Sequence, residues 1–494
     1  MTVTRSPIAN FCSKFTVLRG AARELWLTFA IKLLNFAAYT VTNLTLKIWL
    51  SREFGYSDTQ AMHLVFLWGV SMTIVTLLVG SLTDAIGLRK TFFLGIWICL
   101  FARAVMIFAP TPWFAIGFGL FPLAVGEALG TPVLVAAVRK FSTTPQRSIS
   151  FSASYMMVNL GSLLAAFLFD WVRSILGEGG HLALPGLDHS LTTYRALFLA
   201  SFGIQLLMLP LVWLLRPGVE VQDTGIKIIA APPKKTDARF LKIFFNSVGD
   251  SAQETIRIFR ELFKQSGFYR LIIFLLLIAF LKLVLMQMYY VFPTFGIREL
   301  GEGAPVGKLW GINAIVVIGL LPFIGALTQR FPAYGMVTFG GIIVAASVFI
   351  MTLPTAWFQS LADGAFGQWL GHNYLHLPGA VHPYYVMITL YVIVLSIGEA
   401  FYSPRVYEYA SAIAPPGQEA SYGALSYIPF LLAKLWTGIF SGELLTKYCP
   451  AVGQRHSETM WLFIALTATI APVGLIALRG FIRVPEAGRE NNGE

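Results

Sequence analysis

Long apolar runs broken by short polar punctuation dominate the chain from about residue 25 onward. A bilayer core about 30 Å thick needs about 20 mostly apolar residues for each helical crossing. Twelve stretches satisfy that requirement. They predict helices near 25–50, 60–83, 91–109, 112–138, 151–173, 194–216, 269–294, 307–328, 333–354, 384–412, 421–445 and 458–479. Six spans, a long polar segment and six more spans divide the chain into an N-tail (1–24), a first bundle (25–216), a linker (217–268), a second bundle (269–480) and a C-tail (481–494). The expected fold is an all-α integral membrane protein with 12 transmembrane helices in two pseudo-symmetric six-helix bundles.

Composition narrows the picture. The chain is 56% hydrophobic and 12% charged, against about 25% charged in an average soluble domain, which excludes an ordinary water-soluble globular protein. The net charge of +11 does not point to nucleic acid, because the basic residues sit in short clusters between apolar runs and not along one face. They sort by side instead. With both termini cytoplasmic, 23 Lys and Arg flank the spans on the inner side, and seven (Arg52, Arg173, Arg195, Arg298, Lys308, Lys447 and Arg455) lie on the outer side, as membrane orientation requires. The basic stretch carrying Arg5, Lys14, Arg19 and Arg23 leads into an apolar segment too long for a signal peptide and reads as the first span. Cys12, Cys99 and Cys449 fall in different places and imply no disulfide framework.

Gly80-Ser-Leu-Thr-Asp84 closes the second predicted helix and Gly325-Ala-Leu-Thr-Gln329 closes the eighth, 245 residues later in a chain whose half-length is 247. That spacing is where a duplicated six-helix unit would place it. In the linker, Ser251 and Glu254 fit a capping box, with Ile256, Phe259, Leu262 and Phe263 on one side and Arg257, Arg260 and Lys264 on another. This predicts an amphipathic helix on the inner membrane surface.

The segment Gly80-Ser-Leu-Thr-Asp84-Ala-Ile-Gly87-Leu-Arg89-Lys90 resembles the cytoplasmic loop motif of the major facilitator superfamily. The resemblance makes Gly80, Asp84, Gly87, Arg89 and Lys90 a cytoplasmic gate. Three further segments resemble that superfamily's proton-dependent oligopeptide transporter branch: Glu53-Phe-Gly-Tyr-Ser-Asp-Thr-Gln-Ala61, the fifth-helix run from Ser150 through Tyr155 and Asn159 to Gly161, and Gly398-Glu399-Ala-Phe-Tyr-Ser403-Pro404. The similarity runs, with gaps, from about Leu25 to Leu445. The branch's first-helix E-x-x-E-R-F element falls on Lys32-Leu-Leu-Asn35-Phe36-Ala37, so both carboxylates and the arginine are missing, and its fourth-helix Lys-Pro falls on Thr131-Pro132. Glu399 matches the tenth-helix glutamate that the branch associates with the substrate's amino group.

Five charges lie near span centres: Lys32, Glu127, Lys282, Glu399 and Lys434. A charge at mid-bilayer costs at least about 2.5–3.5 kcal/mol, so it pairs, faces a bundle interior or works in transport. In the superfamily's architecture all five would stand on cavity-forming helices. A buried carboxyl can take up and release a proton as neighbouring charges change, which makes Glu127 and Glu399 the proton-coupling candidates. Lysine suits carboxylates and phosphates as a compact point charge. The substrate-binding candidates are therefore Lys32, Lys282, Glu399 and Lys434 with the polar residues Asn35, Tyr39, Tyr155, Asn159, Gln287 and Asn313. The competing reading is a set of fixed interhelical pairs, for example Glu399 with Lys434. Arg103 is expected to make a structural pair, and Lys47 to reach the outer interface along its stem.

His372, His376 and His382 lack a completing carboxylate or thiol and read as surface or interfacial packing, not as a metal site. No Walker loop, zinc-hydrolase helix or nucleophile triad occurs, so neither an enzyme nor a cofactor is expected. The expectation is a monomeric, multi-pass symporter of the cell (inner) membrane, with lipid, protons and a small molecule as partners and no nucleic acid. It would move a carboxylate-bearing, peptide- or amino-acid-like solute by alternating access. A more anionic metabolite, such as a polycarboxylate or carboxylate-type siderophore, and a non-transport receptor, scaffold or lipid-moving role remain the alternatives.

Overall fold

The structure is a computed structural model describing residues 17–183, 190–222, 225–228, 264, 266–328, 331–413 and 428–484. Twelve long helices occur among these residues: α1 (Arg23–Phe54), α2 (Asp58–Ile86), α3 (Leu88–Phe108), α4 (Pro112–Lys140), α5 (Thr144–Leu176), α6 (Thr193–Leu214), α7 (Ser266–Tyr290), α8 (Val306–Leu327), α9 (Ala333–Ile350), α10 (Pro383–Ile413), α11 (Ile428–Tyr448) and α12 (Ser457–Ala477). Eleven are long and apolar enough to cross a membrane; the twelfth, α11, is 21 residues long and overlaps the remaining predicted span from Ile428 onward. The predicted amphipathic helix of the linker lies outside the described residues.

Two predicted spans are interrupted. The span expected at 269–294 ends at Tyr290, and a separate helix, Phe292–Leu300, starts with Pro293 in its first turn. There the missing proline N–H has no intrahelical partner to lose. α4 widens into a π-type stretch, Ala115–Leu120, between a first turn at Pro112–Phe114 and its regular part. The sequence reading anticipated no strands, yet two short antiparallel hairpins occur: β1 (His181–Ala183) with β2 (Ser190–Thr192), and β3 (Val219–Gln222) with β4 (Gly225–Ile228).

The chain forms two compact units. Of the described residues, the first holds 17–45, 67–165, 181–183, 190–222 and 225–228, and its apolar core draws Leu25, Phe29, Ile96, Leu100, Val133 and Leu134 from α1, α3 and α4. Small residues let those helices close up: a Cβ on Gly126 would meet Cys99 Sγ at 2.5 Å and the Cys99 nitrogen at 2.9 Å. The second unit holds the described residues 46–66, 166–180, 264, 266–328, 331–413 and 428–484. It therefore takes in the end of α1, the start of α2 and the end of α5, which the predicted halves had assigned to the first bundle.

In the second unit α9 and α10 meet at Gly340 and Gly398. A Cβ on Gly340 would lie 2.7 Å from the Gly398 carbonyl oxygen and 2.8 Å from the Tyr402 nitrogen, whereas one on Gly335 would meet nothing within 4 Å. Gly340→Leu should therefore force the helices apart and cost about 1–3 kcal/mol, the usual penalty of overpacking. Gly335→Leu should leave the melting temperature of the purified protein unchanged. Outside the cores, Trp97 and Phe101 on α3 and Leu466 and Val473 on α12 remain exposed. Such patches mark surfaces that face something other than water.

Candidate functional site

The polar centre of the second unit is built by α7, α8 and α10. Glu399 on α10 is 7% exposed, and its Oε2 accepts a hydrogen bond from Asn313 Nδ2 on α8 at 2.9 Å. The same amide nitrogen donates to Ser396 Oγ at 3.0 Å, so Asn313 is fixed between two acceptors one turn apart on one face of α10. Lys282 on α7 is 3% exposed. Its ammonium donates to Ser403 Oγ at 3.0 Å, one turn beyond Glu399, and stands 4.8 Å from the centre of the Tyr402 ring. Glu399 is thus bound to Asn313 and Lys282 to Ser403, one turn further along α10; Lys434, the fixed partner that the competing reading gives Glu399, is partly buried on α11. Gln287, also a binding candidate, accepts from Ser441 Oγ on α11 at 2.7 Å and so ties two helices together.

The first unit carries the other candidates. Lys32 is partly buried, 5.9 Å from the Phe36 ring centre, and has no carboxylate partner among the described residues. Asn35 is 6% exposed beside Gly130 of α4. Tyr39 stacks on Trp68 with ring centres 6.3 Å apart. On α5, Asn159 Nδ2 donates to the Tyr155 carbonyl at 3.1 Å, and Gly161 brings that helix against the α1 backbone at Leu33 and Ala37. Glu127 is bound to Arg103: the guanidinium Nη2 lies 2.5 Å from Glu127 Oε1, and both side chains are essentially inaccessible. Arg103 also donates to Ser201 Oγ at 2.7 Å and Thr42 Oγ1 at 3.3 Å. The expectation treated these two residues separately, one as structural and one as proton-coupling, and the structure makes them one pair.

The sequence reading passed over charged clusters where spans end. Lys47, expected to reach the interface, is 2% exposed and paired with Asp58 at 2.5 Å. Its depth is set by α2 folding back through the Gly55 turn (φ +69°), which places the Asp58 carboxylate beside it. Arg298 grips the same carboxylate with two nitrogens, at 2.8 and 3.0 Å. Asp170 caps α8, accepting from the backbone N–H of Gly307 (2.9 Å) and Lys308 (2.5 Å), where a helix N-terminus favours an anion. Arg173 pairs with Asp170 and Glu178. An acid inside an apolar run was the available signal for Asp170, but its position near a span end kept it out of the mid-span set.

In the gate motif, Gly87 joins α2 to α3 at φ +85°, a conformation that suits glycine. Arg89 Nη2 donates to the Trp213 carbonyl at 2.9 Å, near the C-terminus of α6, and Lys90 is exposed. Gly80 and Asp84 lie in the last turns of α2.

The sequence profile of the Major Facilitator Superfamily matches residues 28–366. No curated protein sequence gives a significant match. Solved structures do match. One describes substrate recognition in proton dependent oligopeptide transporters, at 17% identity and a TM-score of 0.64, covering 93% of this chain and 98% of that one. A POT family transporter in complex with 5-aminolevulinic acid gives 15% identity and 0.65, covering 94% and 97%. A tetrameric PepTSo2 gives 17% and 0.65, covering 93% and 98%. At these identities the likeness is one of fold. Together with the apolar helices, the match makes this a multi-pass membrane transporter: the chain belongs to the Major Facilitator Superfamily and resembles its proton-dependent oligopeptide transporter branch.

Proposed function

We propose that this transporter moves a small carboxylate-bearing solute, peptide- or amino-acid-like, across the cell membrane by alternating access, as a proton-coupled symporter with cytoplasmic termini. The observation that carries the reading is the hydrogen bond from Asn313 to Glu399, with Lys282 held on Ser403 one turn along the same helix. A carboxylate oriented by a neutral amide, with a cation one turn along, offers one group to a substrate amine and another to a substrate carboxylate. The structurally similar transporter that holds 5-aminolevulinic acid, itself an amino acid, lends the same chemistry support. Glu127 is held in a buried pair with Arg103, which ties any proton exchange there to the breaking of that pair.

A second reading, transport of a polycarboxylate, draws on Lys32, a membrane-level cation without a carboxylate partner among the described residues. Thermal stability of the detergent-purified protein separates the two when peptides, amino acids, polycarboxylates and phosphorylated metabolites are added in matched panels. A ligand at about 100 times its dissociation constant stabilises the native state by roughly 2.7 kcal/mol. Peptides or amino acids should give the shift. In Lys282→Ala the shift should shrink more for a carboxylated ligand than for its amide analogue; equal losses would remove Lys282 from direct contact. A response confined to polycarboxylates would replace the first reading by the second, and silence from every panel would overturn both.

A further inference from the structure

Between α9 and α10 the chain builds a small helical hairpin: a 3-10 turn Thr355–Phe358 running into Gln359–Asp363, then Ala365–Gln368 running into the wide turn Trp369–Leu375, which ends at His376 in the left-handed conformation (φ 62°). Gly367 lets the two arms touch, since a Cβ there would overlap the Ala362 backbone. One face is buried: Phe358, Ala362, Leu370 and Leu375 are at most 7% exposed, and the first arm packs on α10. The second arm is pinned to the first turn of α8. The Tyr374 hydroxyl donates to the Lys308 carbonyl at 2.8 Å, and the Lys308 ammonium donates to the Leu375 carbonyl at 3.3 Å. Burial, with the Asp170 carboxylate adding to it, pushes the Tyr374 phenol well above its ordinary value, so it keeps its proton and remains a donor.

The opposite face is apolar and uncovered. Trp357 is 69% exposed, Leu361 45%, Phe366 39% and Trp369 56%. These residues are spaced i,i+4 on the first arm and i,i+3 on the second, so each pair forms one stripe. The polar side chains of the hairpin bond among themselves: Gln359 Nε2 donates to Asp363, and His372 Nε2 lies 3.0 Å from Gln368 Oε1. Residues 355–375 contain no Lys or Arg, and Asp363 is their one acid. We propose that this hairpin lies in the surface of the bilayer, its stripes of Trp357, Leu361, Phe366 and Trp369 seated at the boundary between phospholipid headgroups and acyl chains. The hairpin links consecutive membrane-crossing helices at their ends, where indole rings favour the interface. Without basic residues it is held by apolar insertion and not by anionic headgroups.

The test uses the full-length protein in phosphatidylcholine vesicles, in a Cys12→Ser background because Cys99 and Cys449 are buried. An environment-sensitive fluorophore is placed on Leu361→Cys and, separately, on Gln359→Cys. Lipids brominated near the headgroup should quench the first label at least about threefold more strongly than the second, with aqueous iodide showing the reverse order. Adding phosphatidylglycerol should not change the ratio. A Trp369→Cys and His372→Cys pair repeats the comparison on the other arm, should either substitution at the first arm disturb folding. Equal iodide access at both positions would overturn the proposal, as would protection from both quenchers, which a covering protein surface would produce. Quenching that appears only with anionic lipid would overturn it as well.

Discussion

Replacing Arg103 by leucine should destabilise the transporter by about 3–5 kcal/mol, the cost of stripping one partner from a buried ion pair. The Glu127 carboxylate, 2% exposed, would lose a guanidinium at 2.5 Å, and Ser201 and Thr42 would lose their donor. Glu127→Leu should cost a comparable amount by leaving the guanidinium buried without its counter-charge. The double variant Arg103→Leu/Glu127→Leu should recover most of the loss, because replacing a whole buried pair with apolar groups of similar volume is often neutral or stabilising. Chemical or thermal unfolding of the four proteins checks this. If the double variant is no more stable than either single one, the pair is not the unit that the geometry describes. Uptake by the double variant then sorts the two roles of Glu127. A stable protein that still transports would make the residue a structural partner of Arg103, and a stable protein without proton-driven uptake would restore it as a coupling group.

This pair shows where sequence reasoning stops. Arg103 and Glu127 were each legible as membrane-level charges, because a charge in a run of 20 apolar residues stands out whatever surrounds it. Their meeting depends on the rotation of α3 and α4 about their axes, and that is fixed by contacts such as Gly126 on Cys99, which hydropathy does not encode. Glu399 and Asn313 were likewise picked out singly, and their hydrogen bond follows from the register of α8 against α10. Lys47 was misread because depth along a span says nothing about a neighbour's carboxylate folded back beside it. The helices themselves were plain, since apolar length alone demands them. The two hairpins were invisible: strands of three or four residues are too short to show alternation.

Glu399→Gln should reduce proton-driven uptake to the background of empty vesicles while leaving the protein folded. The replacement's amide oxygen can still accept the hydrogen bond from Asn313 Nδ2, so the link between α8 and α10 persists, and the melting temperature should stay close to that of the parent. What disappears is the exchangeable proton and the negative charge offered to a substrate amine. Those two losses act on different measurements. A coupling group is needed when a proton gradient supplies the energy, and is dispensable when labelled substrate inside the vesicles exchanges with unlabelled substrate outside. Exchange should therefore survive Glu399→Gln if the residue carries the proton alone, and fall with uptake if it also holds the substrate amine. Ligands without an amine supply the control, since their exchange should be spared in either case. Uptake that matches the parent at every pH would remove Glu399 from coupling. The search for the proton site would then pass to Glu127, where release of the carboxylate from Arg103 would have to be part of the transport cycle.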